Sequence, residues 1–295
     1  PVDFHLRGFE KLGAEIILES GYIIAKANNL KGAEISFDFP SVGATGNILM
    51  AAVLAEGKTI IRNAAKEPEI VQLCEFLNLM GADISGIGSS NIIVEGVESL
   101  ESAKIDIIPD RIEAGTFLIA GALLGEITLE NVNKNHLLSV VLKLKDTGSE
   151  IVESGNSLTI VPSDIINPVD IQTAVYPGFP TDLQAQWVAM MSIAKGSSVI
   201  TDNVYNDRFS HIPELNRLGA KIKVDHNSAW IKGVESLKGA QVMSTDIRAS
   251  AALIIGGLVA DGITEVQRVY HIDRGYEKIE EKFSEIGAKI YRESA

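Results

Sequence analysis

The sequence predicts an α/β protein built from repeated βαβαββ units, with apolar helices inside and sheets outside. A strand phrase of the form Gly-Ala-charged-Ile recurs at intervals of about 68 residues, which indicates a fixed structural repeat. The first helix of each unit is apolar on nearly all sides, which a protein in water tolerates only when other elements surround that helix. The phrase begins at Gly13, Gly81, Gly219 and Gly287, with a degenerate copy at Gly148.

Hydrophobic periodicity and turn residues predict the elements of each unit in the same order. The opening strands are predicted at 33–37, 104–108, 169–174 and 241–244. The apolar helices follow at 42–55, 112–124, 182–194 and 247–259. Each helix is expected to end at a glycine (Gly57, Gly125, Gly196 and Gly262), because glycine adopts the left-handed C-cap conformation without a clash. A further strand, such as 59–62, and an amphipathic helix, such as 69–80, precede the Gly-Ala strand.

Length and composition limit the possible classes of protein. The chain has 295 residues, of which 46% are hydrophobic, and this length corresponds to about two domains. The formal charge of −13 repels polyanions, so we expect no nucleic-acid partner. One cysteine and the absence of a ligand-spaced Cys/His cluster predict no internal disulfide and no metal site. The longest nearly apolar stretch, 249–260, is shorter than the roughly 18 residues of a membrane span. We therefore expect a cytoplasmic protein with no membrane partner.

The repeat also predicts the domain organisation. The copy at Gly13 is only the tail of a unit, so the chain begins within a repeat. We predict a partial first domain over residues 1–108 and a second domain of three repeats over residues 109–295.

Seven short phrases carry a resemblance to a known family. They occupy residues 1–5, 39–45, 63–70, 109–113, 179–186, 246–250 and 270–276. In this order they resemble the UDP-N-acetylglucosamine 1-carboxyvinyltransferase family of enolpyruvyl transferases. The resemblance implies the EPSP synthase-like fold, an inside-out α/β barrel of two domains with three βαβαββ units each, which agrees with the repeat. It also implies that about 120 residues precede Pro1 in the family, including the loop with the reactive cysteine.

The resemblance implies a reaction and its partners. The enolpyruvyl group of phosphoenolpyruvate would be transferred to the 3-hydroxyl of UDP-N-acetylglucosamine by addition and elimination, with release of phosphate and without a cofactor. This reaction is the first committed step of peptidoglycan precursor synthesis. A chain without the reactive-cysteine loop is expected to have negligible activity, and the missing amino-terminal segment could act as a separate partner chain.

Two other readings of the sequence remain open. One is a 5-enolpyruvylshikimate-3-phosphate synthase-like transferase, against which the phrases at 1–5 and 41–45 argue. The other is a non-catalytic repeat protein that binds nucleotide sugars. Preference for UDP-N-acetylglucosamine over shikimate phosphate would distinguish the first, and insensitivity of a full-length enzyme to Asp182→Ala would favour the second.

Two aspartates are candidate catalytic residues. Asp182 precedes an apolar helix, where a carboxylate complements the helix dipole; the resemblance implies instead that it hydrogen-bonds the sugar 3-hydroxyl and acts as general base. Asp246 lies two residues before Arg248. It could cap its helix or orient that arginine, whereas the resemblance implies a second active-site carboxylate that assists proton transfer.

Three arginines lie at loops or helix starts in corresponding parts of the last units: Arg208, Arg248 and Arg274. A single arginine is usually a solvated surface group. Three that converge would suit a ligand with a carboxylate and a phosphate, because a guanidinium donates two parallel hydrogen bonds to a planar anion. The resemblance places phosphoenolpyruvate there and includes Arg274 in the catalytic machinery.

The nucleotide-sugar site is predicted mainly from the resemblance. Ser41, Val42 and Gly43 open an apolar helix, whose free N–H groups attract phosphate oxygens, although a Ser N-cap is routine. The family uses this turn and the two preceding residues for the diphosphate. Family members carry a lysine in this stretch, but no lysine occurs here, so only backbone contacts to the phosphates are expected. The remaining predicted contacts are to the uracil from Pro1, Val2, Asp3, Phe4 and His5, to the diphosphate from Phe39 and Pro40, and to the sugar nucleotide from the backbone of Val204.

Cys74 does not match the reactive cysteine of the family. It lies on the apolar stripe of the amphipathic helix predicted at 69–80, where a buried thiol behaves as a small hydrophobe. We therefore expect a structural role for Cys74.

Overall fold

The computed structural model describes residues 2–293 of the chain. The chain divides into two compact units, Pro1–Ile108 and Pro109–Ala295. The elements of the first unit are α1 (Asp3–Lys11), β1 (Glu15–Glu19), β2 (Tyr22–Lys26), β3 (Glu34–Ser36), α2 (Val42–Ala52), β4 (Lys58–Arg62), α3 (Pro68–Leu79), β5 (Asp83–Ser85) and β6 (Asn91–Glu95).

The first unit contains one full βαβαββ repeat, which runs from β3 to β6. Its sheet has the order β3-β4-β6-β5, in which β3 is parallel to β4 and the other pairs are antiparallel. Helix α2 supplies the fully buried residues Ile48 and Leu49, and α1 packs beside α2. The predicted order of elements is therefore confirmed in this unit.

The second unit begins with α4 (Arg111–Leu124) and ends with α9 (Ile279–Glu285). Between them lie β7 (Ile127–Leu129), α5 (Leu138–Asp146), β8 (Glu150–Ser154), β9 (Ser157–Val161), β10 (Ile171–Thr173), α6 (Gln184–Met191), β11 (Ser197–Asp202), α7 (Ile212–Arg217), β12 (Lys221–Asp225), β13 (Ser228–Lys232), β14 (Leu237–Lys238), β15 (Gln241–Met243), α8 (Ile247–Leu258), β16 (Ala260–Asp261) and β17 (Glu265–Gln267). Short 3₁₀ helices occur at Lys134–His136, Thr181–Leu183 and Val269–Arg274.

The sheet of β10 to β13 repeats the topology of the first unit. Its order is β10-β11-β13-β12, with β10 parallel to β11 and the remaining pairs antiparallel. Strand β15 pairs in parallel with β17 in the same way. The recurring phrases of the sequence therefore correspond to a recurring arrangement of strands.

Three helices, α4, α6 and α8, form the interior of the second unit. Each of them contacts the other two, and each contacts strands of its own repeat. All residues of α6 are buried. Other elements cover these helices on every side, which is the environment that a helix with apolar residues all round requires. This confirms the expectation of helices inside and sheets outside.

The strand predicted at 104–108 is absent. The backbone carbonyl of Asp106 accepts a hydrogen bond from the side chain of Gln72, and the Ile108 N–H donates to the same side chain. These backbone groups are satisfied by an amide side chain rather than by a neighbouring strand. The sheet of the following repeat accordingly has three strands, in the order β7-β9-β8.

The predicted ends of several elements were also wrong. The Gly-Ala phrase at 287–290 is not part of a strand, and no strand of the described chain pairs with it. Of the predicted terminal glycines, only Gly125 directly follows its helix. The other three lie in turns a few residues later, where their positive φ angles lead the chain into the next strand. The helix predicted at 182–194 begins as a 3₁₀ turn and becomes α-helical at Gln184.

A close backbone approach explains the glycine that follows the last strand of two repeats. A Cβ atom on Gly96 would overlap the carbonyl oxygen of Ala55, and one on Gly233 would overlap that of Ala194. Both carbonyls follow the apolar helix of their repeat. Glycine at this position therefore allows the end of the apolar helix to meet the last strand of the same unit.

Substitution of Gly96 tests this close approach. We expect Gly96→Ala to destabilise the protein by at least about 2 kcal/mol, because the backbone of Ala55 must shift. Gly46→Ala is the matched control in the same unit, since a Cβ there meets Ile70 at an ordinary 3.6 Å. It should be neutral or stabilising by up to about 1 kcal/mol, because alanine favours helix interiors. Equal denaturant midpoints for the two variants would contradict the packing argument.

Candidate active site

Asp182 forms ion pairs with two arginines in the second unit. Its Oδ1 atom lies 3.0 Å from Nη1 of Arg208 and 3.0 Å from Nε of Arg248. The side chains of Asp182, Arg208 and Arg248 are 31%, 26% and 17% exposed, respectively. The cluster is therefore open to a ligand but shielded enough for charge interactions to be stronger than at the surface.

The repeat brings these residues to one end of the unit. Asp182 lies in the 3₁₀ helix Thr181–Leu183 that leads into α6, and Arg248 lies in the first turn of α8, at the equivalent point of the next repeat. Arg208 lies in the loop that follows β11, and β11 runs parallel to β10, the strand before Asp182. Parallel strands place their carboxyl ends at the same edge of a sheet, so these loops meet.

The charges of the cluster determine the protonation of Asp182. Burial opposes ionisation of the carboxyl group, but the guanidinium groups of Arg248 and Arg208 outweigh it and hold the pKa of Asp182 below its ordinary value. Burial likewise disfavours the charged form of Arg248, yet Asp182 and Tyr276 raise the pKa of this guanidinium above its ordinary value. Asp182 is therefore ionised at neutral pH.

A buried hydrogen-bond network that includes Tyr276 lies next to Arg248. The Arg248 guanidinium interacts electrostatically with Tyr276, the hydroxyl of which lies 2.7 Å from Oγ1 of Thr116. Nε2 of Gln186 lies within hydrogen-bond distance of both hydroxyls. Burial raises the pKa of Tyr276, so the phenol stays protonated. Because Thr116 donates its own proton to the Ile112 carbonyl, Tyr276 donates to Thr116 and accepts from Gln186.

Asp246 is the N-cap of α8. Its Oδ1 atom accepts hydrogen bonds from the N–H groups of Arg248 and Ala249, at 2.8 and 2.9 Å. Its Oδ2 atom accepts from the hydroxyls of Ser210 and Thr245. Burial raises the pKa of Asp246, but these hydrogen bonds outweigh the burial and lower it overall. Of the roles considered for Asp246, the geometry supports helix capping, which fixes the backbone of Arg248.

Arg274 does not join the ion-pair cluster. It is exposed at the end of the 3₁₀ helix Val269–Arg274, and we find no hydrogen bond or ion pair for it within residues 2–293. It lies two residues before Tyr276, the hydroxyl of which contacts Arg248. The structure thus brings together Asp182, Arg208 and Arg248 and leaves the guanidinium of Arg274 in solvent.

The predicted nucleotide-sugar residues of the first unit lie at the starts of α1 and α2. The ring of His5 packs against Gly43, and Nδ1 of His5 lies 2.8 Å from Nδ2 of Asn47. Ser41 is the N-cap of α2 and accepts a hydrogen bond from the N–H of Ala44. Phe39, Pro40 and Val42 are half-buried around this turn, Val2 and Asp3 are exposed, Phe4 is half-buried, and Pro1 lies outside the described residues.

Val204 is half-buried in the loop after β11, and its N–H is already engaged. That N–H donates to Oδ1 of Asp202 at 3.0 Å. The buried Asp202 and Tyr276 were both missed by the sequence analysis. Asp202 ends a β-branched run at the carboxyl end of a predicted strand, which is a usable signal. Tyr276 belongs to a recognised phrase, but nothing local to it indicates a contact with Arg248.

Cys74 lies fully buried in the core of the first unit, as its position on the apolar stripe predicted. Burial raises the pKa of its thiol to about 11, so the reactive thiolate is scarce at neutral pH.

No group of three or more His, Cys, Asp or Glu side chains in residues 2–293 is arranged to hold a metal ion. No helix of that part of the chain is long and apolar enough to cross a membrane.

Removal of the Tyr276 hydroxyl tests the buried network. We expect Tyr276→Phe to lower the free energy of unfolding by about 1–2 kcal/mol, because Gln186 loses a buried acceptor and Thr116 loses a buried donor. Tyr291→Phe is the control, since Tyr291 is 76% exposed. Denaturant unfolding of both variants provides the measurement, and equal stability of the two would show that the network contributes nothing.

Comparison with known proteins identifies relatives along nearly the whole chain. The family model of EPSP synthase (3-phosphoshikimate 1-carboxyvinyltransferase) matches residues 1–283. UDP-N-acetylglucosamine 1-carboxyvinyltransferase 2 of Carboxydothermus hydrogenoformans is 55% identical over 100% of this chain and 71% of its own length. UDP-N-acetylglucosamine 1-carboxyvinyltransferase 1 of Caldanaerobacter subterraneus is 53% identical over 99% of this chain and 71% of its own length.

Solved structures share the fold at lower identity. The enolpyruvyl transferase NikO from Streptomyces tendae has a TM-score of 0.89 and 24% identity, covering 99% of this chain and 72% of its own. EPSP synthase from Acinetobacter baumannii has a TM-score of 0.74 and 20% identity, covering 100% of this chain and 72% of its own. These likenesses confirm the expected EPSP synthase-like fold. The chain belongs to the EPSP synthase family of enolpyruvyl transferases, among the relatives named UDP-N-acetylglucosamine 1-carboxyvinyltransferase.

Proposed function

We propose that this protein transfers the enolpyruvyl group of phosphoenolpyruvate to the 3-hydroxyl of UDP-N-acetylglucosamine and releases phosphate. The observation that carries the proposal is the half-buried cluster in which Asp182 meets Arg208 and Arg248. A carboxylate beside two guanidinium groups provides a base next to a site for an anion. Identities of 53–55% to relatives named for this transfer support the choice of substrates.

The arginines are the proposed phosphoenolpyruvate site. A guanidinium is planar and always charged, and it binds carboxylate or phosphate oxygens through paired N–H donors. Arg208 and Arg248 are already held in place by their contacts with Asp182. Arg274 is exposed and unpaired within the described chain, so it can turn toward an anion without losing an internal partner. Local positive charge at this site opposes the overall charge of −13.

The N-terminus of α2 is the proposed diphosphate site. Ser41 satisfies the N–H of Ala44, whereas we find no acceptor for the N–H groups of Val42 and Gly43 within residues 2–293. Free N–H groups at a helix N-terminus bind phosphate oxygens. The uracil is assigned to the segment around His5, which adjoins this turn, and a sugar-nucleotide contact is assigned to the backbone of Val204.

The reaction follows from the chemistry of an enol ester. Asp182 takes the proton of the sugar 3-hydroxyl as its oxygen attacks C2 of phosphoenolpyruvate, while C3 gains a proton and becomes a methyl group. The resulting tetrahedral adduct carries both the sugar oxygen and the phosphate on C2. Loss of phosphate from C2 and of a proton from the methyl group restores the double bond. The arginines stabilise the charge on the carboxylate and on the departing phosphate. Participation of Asp246 in proton transfer stays a prediction.

Substrate binding would adjust the basicity of Asp182. In the ligand-free protein the two guanidinium groups hold its pKa low, which makes it a weak base. An anionic substrate that binds these guanidinium groups offsets their charge and adds its own. The pKa of Asp182 then rises, so the carboxylate becomes a stronger base when phosphoenolpyruvate is in place.

Phosphate release tests the proposed function. A form of the enzyme that includes the reactive-cysteine loop of the family should release phosphate from phosphoenolpyruvate when UDP-N-acetylglucosamine is present and not when shikimate 3-phosphate replaces it. Release with shikimate 3-phosphate alone would favour the related synthase activity. Tight binding of UDP-N-acetylglucosamine in calorimetry with no release under any condition would favour a non-catalytic binding protein.

The variant Asp182→Asn tests the proposed base and the proposed anion site separately. Turnover should fall by about 10²–10⁴-fold, the usual contribution of a general base. Inorganic phosphate should bind more tightly to this variant, because Arg208 and Arg248 no longer pair with an internal carboxylate. Calorimetric titration with phosphate measures the second effect. Asp225→Asn, at an exposed carboxyl group, is the control. Weaker phosphate binding by Asp182→Asn would contradict the proposed competition.

A further inference from the structure

Asp202 is a fully buried carboxyl group that receives four hydrogen bonds. Its Oδ1 atom accepts from the Thr173 hydroxyl at 2.6 Å and from the N–H groups of Val204 and Tyr205 at 3.0 and 2.9 Å. Its Oδ2 atom accepts from the Thr181 hydroxyl at 2.6 Å. Within the described chain no lysine or arginine pairs with it, so neutral donors alone hold this carboxyl group.

The proton positions of this network are fixed by the groups involved. Arg208 Nη1 donates to Thr181 Oγ1 at 3.1 Å, and a guanidinium can only donate. Thr181 must therefore direct its single hydroxyl proton toward Asp202 and a lone pair toward Arg208. The acceptor at Oδ2 of Asp202 thus orients the Thr181 hydroxyl so that a lone pair faces Arg208 and the proton does not.

Asp202 also reaches Arg208 through the loop that follows β11. The N–H of Arg208 donates to the carbonyl of Tyr205, and its guanidinium carbon lies 5.6 Å from the centre of the Tyr205 ring. Tyr205 itself is held by the hydrogen bond from its N–H to Asp202. Both the main chain and the side chain of Arg208 are therefore connected to the same buried carboxyl group.

We propose that Asp202 is a positioning residue that aims Arg208 at the phosphoenolpyruvate anion through the hydroxyl of Thr181. This inference rests on the proposed function. The role of Asp202 becomes more important when substrate binds. An anion that draws Arg208 away from Asp182 leaves Thr181 as the remaining side-chain hydrogen-bond acceptor for this guanidinium. The correct direction of the Thr181 hydroxyl then keeps Arg208 in place.

Asp202→Asn reverses one hydrogen bond while preserving shape. The amide oxygen must face Thr173 and the two N–H groups, so the amide nitrogen faces Thr181. Thr181 then accepts from the new amide group, so its proton loses the acceptor at Oδ2 and the hydroxyl is no longer oriented toward Arg208 by that bond. We expect the KM for phosphoenolpyruvate to rise about tenfold, the usual effect of losing a hydrogen bond to a charged group. The KM for UDP-N-acetylglucosamine should change little, because the bonds to Val204 and Tyr205 persist.

Substitutions at Thr181 test the same path without touching the buried carboxyl group. Thr181→Val removes the hydroxyl and should raise the KM for phosphoenolpyruvate as Asp202→Asn does, whereas Thr181→Ser should retain wild-type values. The double variant Asp202→Asn/Thr181→Val should be no worse than either single variant, because both act through one contact. Asp170→Asn is the matched control, since Asp170 accepts from the Val199 N–H at the opposite end of β10 and β11.

The outcomes separate this inference from the proposed function. If the wild type turns over but Asp202→Asn and Thr181→Val only lower the melting temperature, Asp202 is structural and the inference is wrong. If Asp202→Asn does not fold, the difference between Thr181→Val and Thr181→Ser decides. If the wild type neither turns over nor binds phosphoenolpyruvate in calorimetry, the proposed function fails and the positioning role with it.

Discussion

The mutual packing of α4, α6 and α8 is the constraint on which the second unit depends. These helices bury nearly all of their side chains against one another and against the sheets around them. Burial of apolar surface is the main favourable contribution to folding, and it leaves no room for a long loop or a solvated polar group in the interior. Polar residues of the site therefore lie at the helix starts, where the chain enters the packed interior from the strands.

Three of the polar groups inside this packing form a network next to the site. Thr116 of α4, Gln186 of α6 and Tyr276 share hydrogen bonds, and Tyr276 interacts electrostatically with the guanidinium of Arg248. A buried polar group without a partner is costly, so such a network holds its members in a defined geometry. Asp202 is connected to Arg208 in a similar way, through the hydroxyl of Thr181. Each arginine thus contacts a side chain that belongs to a hydrogen-bonded polar network.

Much of the fold followed from local patterns in the sequence. The period of the Gly-Ala phrase and the all-round apolar helices predicted the units and their order, because both depend on neighbouring residues. The strand at 104–108 was wrong for a tertiary reason. A β-branched extended stretch becomes a strand only when another strand pairs with it, and the side chain of Gln72 takes its backbone groups instead. The helix ends were misplaced because glycines with positive φ also occur in turns that lie beyond the end of a helix.

The sequence by itself determined the repeat, the interior helices, the family and the carboxylate at Asp182, since these are properties of short segments and their spacing. Only the tertiary structure decided that Arg208 and Arg248 share one oxygen of Asp182, that Arg274 stays in solvent, and that Asp246 caps α8. It also revealed Tyr276 and Asp202. The physical reason is that ion pairs and hydrogen bonds require atoms about 3 Å apart. Residues distant in sequence reach that separation only after the loops and helices have packed.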